Sequence, residues 1–229
     1  MATIAELMRV LQFGDSLLPI GAFSFSNGLE TAVQLGVVRD VGTLRAFVRS
    51  AVDQAATSDG LAVLAAHRAA AAGDADGVDR ADRAVFDRKL NEEMRTMTVR
   101  MGRKLAEMAG RVLGRSAAAD WLGRIKAGAT PGCLPVGQAL VFADLGLSER
   151  DAFAVHQYGV ATMMVNASLR LMKVHYLDAQ AILFEVNELA GAAYDRAAGL
   201  GLGDMAAFAP EFDVLASLHV RAHVRMFMN

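Results

Sequence analysis

FAVHQYGVATMMVNASLRL, Phe153–Leu171, is the long apolar stretch on which the reading of the fold turns. A helix that crosses a bilayer needs roughly 18 or more consecutive, mostly apolar residues. This stretch has the length, but His156, Gln157, Asn166 and Arg170 interrupt it. It therefore reads as a helix buried in a protein core or interface, not in lipid. Ser148, with Asp151 three residues on, is a helix-start signal just upstream, and the helix continues over Ala152–Val174.

The composition around that helix agrees with it. Of 229 residues, 54% are hydrophobic and only 7% aromatic, so alanine and methionine, both good helix formers, supply much of the apolar excess. No run of alternating β-branched residues suggests strands. The start, MATIAELMRVLQ, carries Glu6 ahead of any apolar stretch and lacks a basic beginning, so it does not read as a signal peptide, and the expected compartment is the cytoplasm. A net charge of −2 without a basic run argues against nucleic-acid binding by phosphate neutralisation. The single Cys133 excludes an internal disulfide and a multi-thiolate metal site, and reads as structural.

Helical spacing recurs along the chain. Ile4–Phe13 forms a first segment that Gly14, Pro19 and Gly21 end. Asn27 offers a cap for a second helix, with Glu30 reaching back to it. From Thr43 the positions Leu44, Phe47, Val48, Ala51 and Val52 keep the three–four spacing, and one helix extends to about Ala72. Gly73–Asp82 reads as a solvated turn. Its Asp74, Asp76 and Asp79 do not make a calcium loop, because the required sixth-position glycine and twelfth-position glutamate are missing. Arg83–Leu113 follows as a long helix of mixed charge ended by Gly114, then a short helix around Trp121, then Val136–Phe142 opened by Pro135, then Asp178–Ala198 closed by Gly199–Gly203. Pro210 and Asp213 precede a last amphipathic segment, Val214–Met228. With no fixed repeat and no dividing linker, the expectation is an all-α fold: one compact helical domain over residues 1–229, of roughly eight to ten helices, with a C-terminal amphipathic tail over 213–229.

Catalytic constellations are not apparent. Of five histidines only His219 and His223 stand at i, i+4, where both could face a metal. No carboxylate or thiol in that segment completes the set, so a polar helix face is the leading reading and a metal pair the alternative. Gly199–Asp204, GLGLGD, follows a helix and precedes no lysine, so it terminates a helix and does not cradle phosphate. The chain is expected not to be an enzyme and to hold no cofactor. Met163, Met164 and Met172 read as core filler that an adaptable interface could also use.

One segment resists so bland a reading: Asp15-Ser-Leu-Leu-Pro19-Ile-Gly21-Ala-Phe23-Ser-Phe25-Ser-Asn-Gly28-Leu-Glu30. Pro19 fixes φ, Gly21 permits backbone shapes closed to other residues, and Ile20, Phe23 and Phe25 must be buried in the fold or by a partner.

This segment resembles the N-terminal signature of the urease accessory protein UreF family, approximately D-S-x-L-P-[IV]-G-[GA]-F-[SA]-[YF]-S-x-G-L-E. Two further blocks follow in the family's order. Arg100-Met101-Gly102-Arg103-Lys104-Leu105 is similar to Q-M-G-R-x-L, and Pro210, Asp213, His219, Arg225 and Phe227 are similar to the pattern P-x-x-D-I-x-S-x-x-H-E-x-x-Y-S-R-L-F. Leu177-Asp178-Ala179-Gln180 resembles Q-T-D-x-Q. Val220 and His223 stand where the family usually has glutamate and tyrosine. The resemblance implies an all-helical, dimeric, non-catalytic protein that binds UreD (also called UreH), recruits the GTPase UreG, and helps deliver nickel to apo-urease, with no membrane or nucleic-acid partner. It places partner contacts in the signature and tail, hence at Pro19, Gly21, Phe23, Phe25, Gly28, Glu30, Met101, Gly102, Arg103, His219, Arg225 and Phe227. The alternative is a direct nickel chaperone with His219 and His223 as ligands. A third class, a small-molecule regulator or an enzyme, has no residue pattern behind it.

Overall fold

The structure, a computed structural model, describes residues 3–22, 25–206, 209–219 and 226–227. In chain order its α-helices are α1 Ile4–Gly14, α2 Leu29–Gln34, α3 Val41–Thr57, α4 Asp59–Ala71, α5 Ala75–Arg88, α6 Glu92–Leu113, α7 Ala117–Lys126, α8 Leu134–Asp144, α9 Glu149–Leu171, α10 Tyr176–Glu188, α11 Ala190–Ala197 and α12 Pro210–His219. No β-strand occurs among the described residues, as the all-α expectation requires.

The apolar run over 153–171 is the middle of α9, and it serves two cores at once. Phe153 and Val155 share a core with residues of α4, α6, α7 and α8, including Leu61, Leu64, Met101, Leu105, Trp121 and Phe142. Further along, Ala161, Met164, Val165 and Ala167 pack with α2, α3 and α10, through Leu29, Leu44, Val48 and Ile182. The polar residues that interrupt the run each have a place. His156 is buried and its Nδ1 lies 3.1 Å from Gln138 Oε1 on α8. Gln157 is buried against α3, where its amide, turned to satisfy both ends, donates to the Val52 carbonyl at 3.0 Å. Asn166 and Arg170 are exposed. No helix among the described residues is long and apolar enough to cross a membrane.

Three helix starts carry reciprocal capping, of which the sequence reading marks the one at Ser148. Thr3 and Glu6 form a reciprocal capping box at α1, Asp40 and Thr43 at α3, and Ser148 and Asp151 at α9. Gly114 ends α6 with a φ of 72°, in the left-handed region where glycine is favoured.

Four expected boundaries fall elsewhere. The helix expected to run from Thr43 to Ala72 breaks at Ser58, whose φ/ψ of −116°/−94° is not helical and whose hydroxyl bonds the Gln54 carbonyl at 2.8 Å. The break sets Gly60 against the Phe153 ring, where a Cβ would approach Cε2 to 2.7 Å. The turn expected over Gly73–Asp82 is the start of helix α5. Asp74 caps it, Asp79 pairs with Arg124 of α7, and Asp82 is fully buried. The helix expected over Arg83–Leu113 is interrupted between Arg88 and Glu92, where Asn91 caps α6 by accepting from the Glu93 and Met94 amides. Asp178–Ala198 divides into α10 and α11 at Leu189.

Two polar or steric ties fix the first core. Asp82 accepts from the Thr130 hydroxyl at 2.6 Å and from the Gly132 and Cys133 amides at 2.7 Å each. This anchors the loop entering α8, and it surrounds Cys133, whose thiol burial and the nearby Asp82 charge push far up in pKa. That cysteine is a buried, inert core residue. On α6, Gly102 faces the same loop so closely that a Cβ would run into the Gly132 carbonyl and the Cys133–Leu134 peptide.

The Gly102 contact predicts that Gly102→Ala destabilises the chain by about 3 kcal/mol, since backbone cannot yield as a flexible side chain would. Urea denaturation followed by circular dichroism measures it, and a loss below about 0.5 kcal/mol would contradict the close approach. Burial lowers the His156 pKa from 6.5 to about 4, opposed by Asp59 and reinforced by Lys89. The unfolded ring takes a proton below pH 6.5 whereas the folded one does not until about pH 4. Unfolding is therefore favoured as pH falls through that window, by about 2.5 kcal/mol between pH 7.5 and 4.5. Denaturation curves at those two pH values should show a steeper loss for the parent chain than for His156→Gln.

Candidate functional site

The signature segment leaves α1 at Asp15, whose carboxylate accepts from the Leu17 amide at 2.8 Å and turns the chain. Pro19 lies exposed on that turn, while Leu18 and Ile20 on either side go into the first core. Gly21 has a φ of 95°, and Lys104 of α6 comes close beside it. Phe25 is buried in the same core. Asn27 and Gly28 then both take positive φ, 52° and 82°, and this reversal starts α2. The expected Asn27 cap is not formed, because Gly28 is the residue before the helix. Glu30 does not reach back to a cap; its side chain turns inward.

Inside, Glu30 is only 2% exposed and meets the C-terminal end of the chain. One of its oxygens, Oε2, lies 3.1 Å from Nε2 of His219 on α12 and accepts from the Phe227 amide at 3.0 Å. The other, Oε1, accepts from the Met226 amide at 2.7 Å. The second nitrogen of the His219 ring, Nδ1, lies 3.0 Å from Oε2 of Glu93 in the first turn of α6. The ring lies between two carboxyl groups, one on α2 and one on α6. The network thus joins α2, α6, α12 and the segment at 226–227. Gly28 passes close to α12, near Leu215 and the Phe212 carbonyl, and its φ of 82° is the feature that favours glycine there.

Phe227 is buried, with the Arg170 guanidinium of α9 4.6 Å from its ring centre. It forms one wall of a groove of about 420 Å³ between the signature segment and α9, also lined by Phe13, Leu18, Ile20, Met163 and Asn166. The chain's own C-terminal end therefore takes part in closing a surface that the signature builds.

The residues that sequence resemblance singled out are brought together unequally. Glu30, Gly28, His219 and Phe227 form the network just described. Met101 is a core residue and Gly102 a packing point, whereas Arg103 is exposed and pairs with Glu107 at 3.1 Å. Phe23 and Arg225 lie outside the described residues, as does His223. Both nitrogens of His219 are engaged by carboxylates, which leaves no lone pair for a metal in this arrangement. Among the described residues no group of three potential metal ligands gathers. Glu93 and Arg170 belong to the site but carry no local signal, since their partners are 126 and 57 positions away in the chain.

Around this site several apolar side chains face outward. Ile4, Leu7, Met8 and Leu11 make a stripe along α1, and Leu17 extends it. Val214 and Leu218 on α12, with Met226, form a second exposed set. Stripes of this kind mark surfaces that associate with other proteins.

Comparison with known proteins agrees with the family resemblance. A model of the UreF family matches residues 38–187. The chain is 55% identical over 227 residues to urease accessory protein UreF 2 of Brucella canis, covering 99% of this chain and 93% of that protein. It is 54% identical over 227 residues to urease accessory protein UreF 1 of Brucella melitensis, covering 99% and 94%. It is 52% identical over 225 residues to urease accessory protein UreF of Yersinia enterocolitica, covering 98% and 99%. Matched by the family model over most of its length and by relatives over nearly all of it, this chain belongs to the urease accessory protein UreF family, with a role in urease maturation.

Proposed function

We propose that the chain is a non-catalytic scaffold of the cytoplasm, working as one helical unit and as a homodimer. It binds UreD (UreH), recruits the GTPase UreG, and through that assembly supports nickel insertion into apo-urease. The observation that carries this reading is the exposed apolar set of Val214, Leu218 and Met226, which sits on a tail whose inner side Glu30 holds in place. A helix fixed on one face and apolar on the other is suited to receive a partner protein. The outward stripe of α1 gives a further surface for the dimer or for UreD. Family membership supports the maturation role, and the buried ionisable groups support the absence of catalysis: Asp82, Glu30 and His219 are all occupied in holding helices together.

Co-purification from cells expressing the urease cluster tests this reading. Removing residues 213–229 should abolish recovery of UreD while most of the helical circular-dichroism signal remains. Because that deletion also strips Glu30 of its partners, a paired Val214→Asp, Leu218→Asp variant separates the outer face from the inner one. It should lower UreD recovery at least tenfold, equivalent to about 1.4 kcal/mol of binding, with thermal stability close to the parent. Normal recovery of UreD by both variants would show that the tail is not the UreD-facing surface.

A further inference from the structure

Glu30 stands at a junction. Its two oxygens, inside the protein, receive the imidazole of helix α12 and the amides of Met226 and Phe227 at the same time. We propose that Glu30 is a latch through which helix α12 and the C-terminal strap at Met226–Phe227 dock on the body, and leave it, as one unit. This rests on the reading of the tail as the partner-binding segment only for its biological use; the latch itself is a property of the isolated chain.

The coupling follows from sharing one carboxylate. If the strap lifts alone, Glu30 loses two backbone donors while its charge stays buried beside Leu29 and Leu215, and its remaining support comes from His219 and from Gln34 at 3.5 Å. Buried carboxylates short of donors draw in water, and water that reaches Glu30 competes for the same oxygen that holds His219. If α12 lifts alone, the imidazole that bridges Glu30 and Glu93 leaves, and Oε2 of buried Glu30 loses its side-chain partner on α12. The strap amides then hydrogen-bond to a carboxylate that has lost the imidazole. Neither half is well held without the other. Apolar contacts follow the same division, because Leu215 of α12 and Phe227 of the strap belong to one buried cluster with Leu29 and Phe47. Phe47 also stacks on Phe212 of α12, with ring centres 4.5 Å apart.

A unit of this kind lets a single event on the strap expose everything that α12 covers. Capture of Phe227 by a partner would free the α12 segment together with it, and the exposed face of α2 would become available in the same step.

Hydrogen exchange on the full-length isolated chain, read by mass spectrometry, tests the latch without any partner present. Phe227→Ala alters only the strap, and Arg170→Ala removes only the cation over its ring. Both should speed exchange of the α12 amides over 211–219 by about tenfold or more, because the strap and α12 open together. Amides of α4 and α9 at Leu61–Leu64 and Met164–Val165 should keep the parent rate. Glu30→Gln, which keeps the shape and removes the charge, should speed exchange in α12 at least as much. The proposal is overturned if Phe227→Ala and Arg170→Ala leave α12 at the parent rate, which would mean that strap and helix dock independently. It is equally overturned if α12 opens in Glu30→Gln while Met226 and Phe227 stay protected. Loss of UreD binding with an intact latch would instead count against the tail reading alone.

Discussion

Helix α9 presents apolar side chains in nearly every direction, and such a helix persists in water only when neighbours sheathe it. Much of the architecture answers that need. α4 and α8 cover its first half around Phe153, α2, α3 and α10 its second half around Met164, and α1 and α11 lie alongside. The sheath is incomplete along the side of Asn166 and Arg170, and there the groove between α9 and the signature segment opens. Where the covering helices run out, Phe227 from the end of the chain takes a place on α9 beneath Arg170. The position of the candidate site is therefore a consequence of how a central helix is wrapped.

Wrapping by apolar contact alone would leave the C-terminal helix free to slide, since such contacts are weakly directional. The Glu30–His219–Glu93 network supplies direction. Ionic groups buried together contribute little net stability against an apolar substitute, yet removing one partner of such a set costs about 3–5 kcal/mol because a bare charge remains. That asymmetry makes the arrangement a device for register: only one placement of α12 puts an imidazole between the two carboxylates. Gly28 contributes the positive φ that turns the chain into α2 beside Leu215. Asp82 follows the same logic at the other end of the molecule, collecting three donors from the loop that enters α8.

What could be read from the sequence divides along the range of the interactions involved. α1, α8 and α9 were legible because their determinants lie within a few residues: Thr3 with Glu6, Pro135 at a helix start, Ser148 with Asp151. The break at Ser58 was not, because its reason is Phe153, almost a hundred positions later in the chain. α5 looked like a solvated loop for a similar reason. Its aspartates are polar in sequence, and only the fold reveals that Asp79 has Arg124 and that Asp82 has the 130–133 loop. The signature was recognisable as a pattern, and so were Glu30 and His219 as members of it. That they touch each other could not be read, since pattern matching records residue types in order and carries no direction for a side chain. Glu93 had no mark at all beyond an acidic residue in a first turn, where it would ordinarily favour the helix dipole and nothing more.

These two levels meet on α12. Its inner face is set by buried charge, through His219, and by the Phe47–Phe212 stack. Its outer face, with Val214 and Leu218, points away from those contacts and is apolar. A partner that recognises the outer face reads a surface whose position is dictated by residues it never touches. Substitutions at Glu30, Glu93 or Gly28 would then disturb recognition while lying within the protein, and substitutions at Val214 or Leu218 would disturb it while leaving the inner network whole. On the proposed reading, the signature's most distinctive carboxylate is buried because it acts on the tail from within. The signature's contribution is to hold α12 in register, and the strap at Met226–Phe227 that closes over Glu30 makes that register depend on the segment beyond α12.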